Sequence, residues 1–171
     1  MEKYLDVPES VLVLSGETTA DGTATDKLTD TAADFQAAGV KPGDIVHVSD
    51  TGVNEYVTVV AVDSATVLSV STGVDTGLDF FIHSSTEFSN QLVSCTDVKI
   101  MEQEATDNDE LLITYEGGSK TKLVFVAEAA ASEAQRDAFE DAMVAALKTS
   151  WTDIVHPVKP SSTIIGISWS T

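Results

Sequence analysis

Ser132-Glu133-Ala134-Gln135-Arg136-Asp137-Ala138-Phe139-Glu140-Asp141-Ala142-Met143-Val144-Ala145-Ala146-Leu147-Lys148 decides the fold class of this 171-residue chain. Ala138, Phe139, Ala142, Met143, Ala146 and Leu147 follow at helical steps of three and four, which puts them on one apolar stripe. Ser132 stands where an N-cap belongs, and Gln135 three residues on is placed to answer it as the reciprocal partner of a capping box. Glu133 in the first turn and Lys148 in the last complement the helix dipole. The spacing predicts a helix over about 133–148, and its alanines predict close approach to a sheet.

On either side of that helix the pattern is that of strands. Gln91–Glu104, Glu110–Tyr115 and Lys120–Ala127 precede it, with turns at Thr106-Asp107-Asn108-Asp109 and Gly117-Gly118; Ile154–Val158 and Thr163–Trp169 follow. Ile165, Ile167 and Trp169 alternate with Gly166 and Ser168, the pattern of a half-buried strand. The first half differs in texture. Residues 15–31 read as loop, and a short helical turn over Ala32–Ala38 ends at Gly39 with Phe35 as its buried anchor. Lys41-Pro42-Gly43-Asp44 has Pro-Gly at the centre of a type II turn. Ile45–Val48, Glu55–Val62, Val67–Ser71 and Phe80–His83 then recur as short strands, the spacing of a small barrel or sandwich. Tyr4–Pro8 reads as a strand able to join the C-terminal sheet. The expected fold is therefore α+β and mainly β. A small β-barrel or sandwich module, residues 10–88, is inserted into an α+β domain of residues 1–9 plus 89–171, whose one long helix packs on an antiparallel sheet.

Charge excludes whole classes of function. Nine Lys and Arg stand against 28 Asp and Glu, a formal net charge of −19, and Arg136 is the one arginine. Such a chain cannot neutralise a row of phosphates, nor settle on an anionic bilayer, so neither nucleic acid nor membrane is an expected partner. Cys95 has no cysteine to pair with, no apolar run reaches the length of a bilayer span, and Met1–Asp6 lacks a signal-peptide layout. Those features predict folding in a cytoplasm.

The candidate chemistry is thin. Asp-Thr-Gly occurs at 50–52 and 75–77, and Ile164-Ile165-Gly166 imitates the apolar strand that aspartic proteases place behind such a loop. Neither aspartate follows a buried apolar strand, and Asp, Thr and Gly are what an ordinary turn selects. His47, His83 and His156 lack the spacing of a zinc site; His47 and His83 fall on strands, where a surface position is expected. Cys95 reads as a buried inert thiol. The acidic runs Asp107-Asn108-Asp109-Glu110 and Asp21…Asp26 match no calcium loop and read as solvated turns. No Walker A, G-x-G-x-x-G or G-x-S-x-G string is present. The sequence assigns no catalytic, cofactor-binding or metal residue and predicts a protein that is not an enzyme.

Two segments carry a resemblance. Asp34-Phe35-Gln36-Ala37-Ala38-Gly39-Val40-Lys41-Pro42-Gly43-Asp44-Ile45-Val46, continuing through Tyr56–Ser64 to Val67–Val70, resembles a small β module of tailed-phage virion proteins. Tyr4–Pro8, Gln91–Lys99 and Arg136–Trp151 are similar to short structural proteins of marine T4-like phages, cyanophages included. The resemblance implies a virion structural role without catalysis, assembled in a host cytoplasm. Its partners would be the major capsid protein or other virion proteins, and it would form a homo-oligomer. Capsid decoration or cementing is the first expectation, a neck, tail or baseplate component the second. The third is a module binding a ligand or host surface, for which Tyr56, Phe80 and Phe81 are the aromatic candidates of the first half.

Overall fold

Alternation of branched apolar and polar residues sets the strands, and they dominate. The computed structural model describes residues 2–50, 53–103, 109–126, 133–149 and 152–170. In chain order these form β1 (Tyr4–Glu17), β2 (Lys27–Thr29), α1 (Phe35–Ala38), β3 (Ile45–Asp50), β4 (Val53–Val62), β5 (Val67–Val70) and β6 (Asp79–Ser94). They continue with β7 (Val98–Gln103), β8 (Glu110–Tyr115), β9 (Lys120–Phe125), α2 (Ala134–Lys148), β10 (Val155–Pro157) and β11 (Ile164–Ser170). The protein is α+β and mainly β. It divides into two compact units, one of residues 1–9 and 88–171, the other of 10–87. The chain passes between them inside β1 and inside β6.

In the first unit the strand order is β6-β1-β11-β9-β8-β7, with β10 also on β1. β7, β8, β9 and β11 are antiparallel, but the sheet is mixed rather than antiparallel as expected. β1 runs parallel to β10, Leu5 beside His156, and to β11, Glu9 beside Ile164. The reason is connectivity: β1 comes from the start of the chain and β10 and β11 from its end, so no hairpin forces them to be antiparallel. Leu111, Ile113, Leu123 and Phe125 point from β8 and β9 to one face, where Phe139, Met143 and Ala146 of α2 cover them. These three sit at i, i+4 and i+7, the buried stripe of the helix. The stripe is narrower than the sequence suggests, since Leu147 is 60% exposed.

The described start of α2 is tied to other elements of the unit. Ser132 lies outside the described residues, the helix is capped at Glu133 without a side-chain bond, and Gln135 is wholly buried. Gln135 Oε1 accepts from Ser161 N at 2.8 Å and Ser161 Oγ at 2.7 Å, fixing the loop before β11. Gln103 of β7 takes a helix N–H instead, accepting from Arg136 N at 3.0 Å. At the other end Lys3 Nζ donates to Thr149 Oγ1 at 2.9 Å and to the Asp153 carbonyl at 2.7 Å. A buried ammonium there meets the negative end of the helix dipole.

In the second unit the order is β2-β5-β4-β3-β6-β1. Leu28, Phe35, Val46, Val48, Val57, Val59, Leu68, Phe80 and Ile82 form its core. The phenyl rings of Phe35 and Phe80 meet at 6.1 Å, tilted 51°. Each such ring withdrawn from water contributes about 2 kcal/mol. Asp34 Oδ1 caps α1 by accepting from Ala37 N at 2.9 Å, and Gly39, at φ 81°, ends it in the left-handed region. The loop expected over 15–31 contains β2 and the end of β1. The strand expected over 91–104 is interrupted at Asp97, whose φ is 58°.

Candidate functional site

The residues that the sequence offers as chemistry have structural partners. Asp75 Oδ1 accepts from Thr76 N at 2.7 Å, and its turn is tied to Thr18, whose Oγ1 donates to the Asp75 carbonyl at 2.6 Å. Thr18 Oγ1 also accepts from Leu78 N at 2.9 Å. Of the other Asp-Thr-Gly, Asp50 ends β3 opposite Val53 of β4, and Thr51 and Gly52 lie outside the described residues. Ile164-Ile165-Gly166 belongs to β11 of the other unit. Asp21 Oδ1 accepts from Thr23 N at 2.9 Å and Thr23 Oγ1 at 2.6 Å, and those bonds hold its carboxyl below the usual range. Asp107 and Asn108 lie outside the described residues, while Asp109, expected at a solvated tip, is buried with its carbonyl in the β8–β9 ladder. Among the described residues no three His, Cys, Asp or Glu side chains are grouped as a metal would need.

Cys95 is buried, and its thiol is pushed up to about 11 by that burial, against a smaller opposing pull from Lys3. A thiol so placed is a poor nucleophile. His156 Nε2 lies 3.0 Å from Thr149 Oγ1 and 3.2 Å from the Asp153 carbonyl, beside the Lys3 ammonium's own partners.

Two aromatic surfaces emerge instead. In the second unit, β3 pairs with both β4 and β6, so His47 stands opposite Tyr56 on one side and Phe81 on the other. The imidazole stacks on Tyr56 at 5.0 Å and 14°, and lies 5.9 Å from the Phe81 ring. Asn54 Oδ1 is 3.1 Å from His47 Nε2. His83, one step along on the same face, is buried rather than at the surface. Desolvation, with repulsion from His47 second, lowers it to about 4, so it is neutral at physiological pH. Its Nδ1 has no hydrogen-bond partner among the described residues. Of the three aromatic candidates, Tyr56 and Phe81 are brought together and Phe80 goes to the core.

In the first unit a groove of about 460 Å³ runs past the end of β11, lined by Glu2, Tyr4, Leu92, Asp97, Tyr115 and Trp169 among others. A register shift between Ile164 and Gly166 moves Ile167 and Trp169 to the face of Leu123 and Thr121. Ile167 packs against the core, but Trp169 lies at the strand end and is 58% exposed. Sequence reasoning missed this groove, because simple alternation through Ile165, Ile167 and Trp169 makes the tryptophan a half-buried sheet residue. Compared with models of protein families, with curated proteins and with solved structures, the chain matches none.

Proposed function

We propose that this is a non-enzymatic virion structural protein that decorates or cements a capsid, attaching through the unit of residues 1–9 and 88–171. The observation that carries the reading is the distribution of exposed large apolar side chains. Among the described residues eleven are exposed, and all but Val11, Leu12 and Val60 lie in that unit. Val144 and Leu147 on α2, with Ile154 and Val155 beyond it, leave apolar area open at one end of the helix. Surfaces of this kind mark contacts with other proteins. The second unit supports the reading as the presented module. We read it as a small barrel left incompletely closed, a reading supported by a bridge, Ala20 to Thr29, between the segment after β1 and β2. The acidic charge keeps crowded copies soluble, and screening over about 8 Å at physiological ionic strength lets them assemble. Purified protein added to bare capsids should bind and raise their rupture temperature. Unchanged rupture temperature with bound protein removes the cementing role, and gold label confined to the tail moves the protein to the neck, tail or baseplate.

A second reading, a module binding a ligand or host surface, is favoured by one feature: the Tyr56, His47 and Phe81 rings gathered on a strand surface. Flat aromatic faces flanked by an amide suit a sugar ring. A glycan titration read by the NMR shifts of His47 and Tyr56 tests it, and unmoved shifts remove it.

A further inference from the structure

We propose that the groove beside Trp169 seats a lysine side chain presented by a basic segment of a partner protein. The inference stands whether or not the partner is a capsid. Three features define the occupant. First, the groove offers aromatic surface: Trp169 is 58% exposed, and Tyr4 and Tyr115 line the same space with Leu92. Second, its ionisable lining groups besides the tyrosines are carboxylates, Glu2 and Asp97. Tyr4 donates its hydroxyl to Glu2, so that carboxylate is held beside a ring lining the groove. Lys3, between Glu2 and Tyr4 in sequence, gives its ammonium to Thr149 and the Asp153 carbonyl, and Lys120, next to Ser119, pairs with Ser170 and so points to the opposite face from Trp169. Third, the formal charge of −19 favours a cationic occupant over a neutral or anionic one. An ammonium over an indole face gains a cation–π contact, while the lysine stem covers apolar surface such as Leu92 and the head reaches a carboxylate.

The test must separate this groove from the general pull of an acidic protein on any cation. The full chain is titrated calorimetrically at 0.1 and 0.5 M salt with a ten-residue peptide alternating glycine and lysine, and with the same peptide acetylated at every lysine. Trp169→Ala should weaken the lysine peptide about tenfold and Trp169→Phe about threefold, since a phenyl face holds a cation less well. The double variant Glu2→Gln/Asp97→Asn should lose more than the charge-matched control Glu102→Gln/Asp141→Asn, which should change affinity less than twofold. Trp169 is exposed, so its variants keep the fold, which circular dichroism verifies. Equal losses from the groove and control pairs, or an unchanged affinity for Trp169→Ala, overturn the proposal. So does equal binding of the acetylated peptide, which assigns the groove to a neutral ligand. A dimer that dissociates on Trp169→Ala in light scattering also overturns it, in favour of a second copy.

Discussion

The backbones of Gly73 and Gly22 touch: a β-carbon on Gly73 would stand 2.0 Å from the carbonyl oxygen of Gly22. Around that contact Gly22 N donates to the Val74 carbonyl at 2.8 Å, and Val74 N to the Lys27 carbonyl at 3.0 Å. At this contact the loop before β2 and the loop before β6 are therefore laced together through backbone, and the Thr18 side chain ties them again at Asp75 and Leu78.

Gly73→Ala should consequently destabilise the protein by about 3 kcal/mol, because the obstacle is backbone and the loops must part to admit a methyl group. Gly117→Ala meets nothing within 4 Å and should stay within about 0.5 kcal/mol of the parent. Urea unfolding midpoints of the two variants, compared side by side, check the contrast. Equal midpoints would falsify the close packing of the loops.

Asp44 closes the turn that Lys41-Pro42-Gly43 begins. Its backbone N donates to the Lys41 carbonyl at 3.1 Å, and Gly43 has φ 96°, as a type II turn requires. Its buried carboxylate accepts from Lys41 N at 2.8 Å, Ser85 N at 2.9 Å and Ser85 Oγ at 3.1 Å. Asp44→Ala strands three donors at once and should cost about 3 kcal/mol. Asp44→Asn should recover part of that loss, since its carbonyl can keep the Ser85 bonds while its amide faces the Lys41 N–H. Denaturant unfolding at pH 7 orders the three proteins.

What the sequence made legible was local. Pro42-Gly43, the Gly39 end of the first helical turn, the Phe35 anchor and the long helix are set by neighbours within a few residues, and the structure has them where the spacing puts them, though Leu147 falls outside the buried stripe. Other features depend on which strand lies beside which. Gln135 looks like half of a capping box because Ser132 precedes it, but burial against the 161–162 loop claims its amide. The mixed sheet depends on β1, from the start of the chain, lying beside β10 and β11 from its end, and that leaves no mark in the strands themselves. The His47, Tyr56 and Phe81 cluster needs β3 between β4 and β6. The Trp169 groove needs a register shift in β11 that alternation conceals.

Cys95 should be silent toward thiol reagents while the protein is folded. With the thiol at about 11, roughly one part in a thousand is thiolate at pH 8, and the residue is only 4% exposed as well. Labelling with an aromatic disulfide should run at least 100-fold slower than in urea-unfolded chain. Rapid labelling under native conditions would contradict the burial.

His83 should make stability fall on mild acidification. Its native value of about 4 lies below the ordinary 6.5, which the unfolded chain adopts. Above 6.5 both states are neutral and the histidine adds no pH dependence. Between 6.5 and 4 the unfolded chain binds the proton and the native protein does not, so stability is lost as pH falls through that window, by at most about 3 kcal/mol. Below 4 both states are charged and the loss levels off. Carboxylates titrate near the lower limit, so the discriminating measurement is a difference. His83→Gln has no proton to bind, and its unfolding free energy should decline less than the parent's between pH 7 and 4.5. Parallel declines would mean that the imidazole is hydrated in the native protein, and that the strand surface around His47 and Phe81 is open to water.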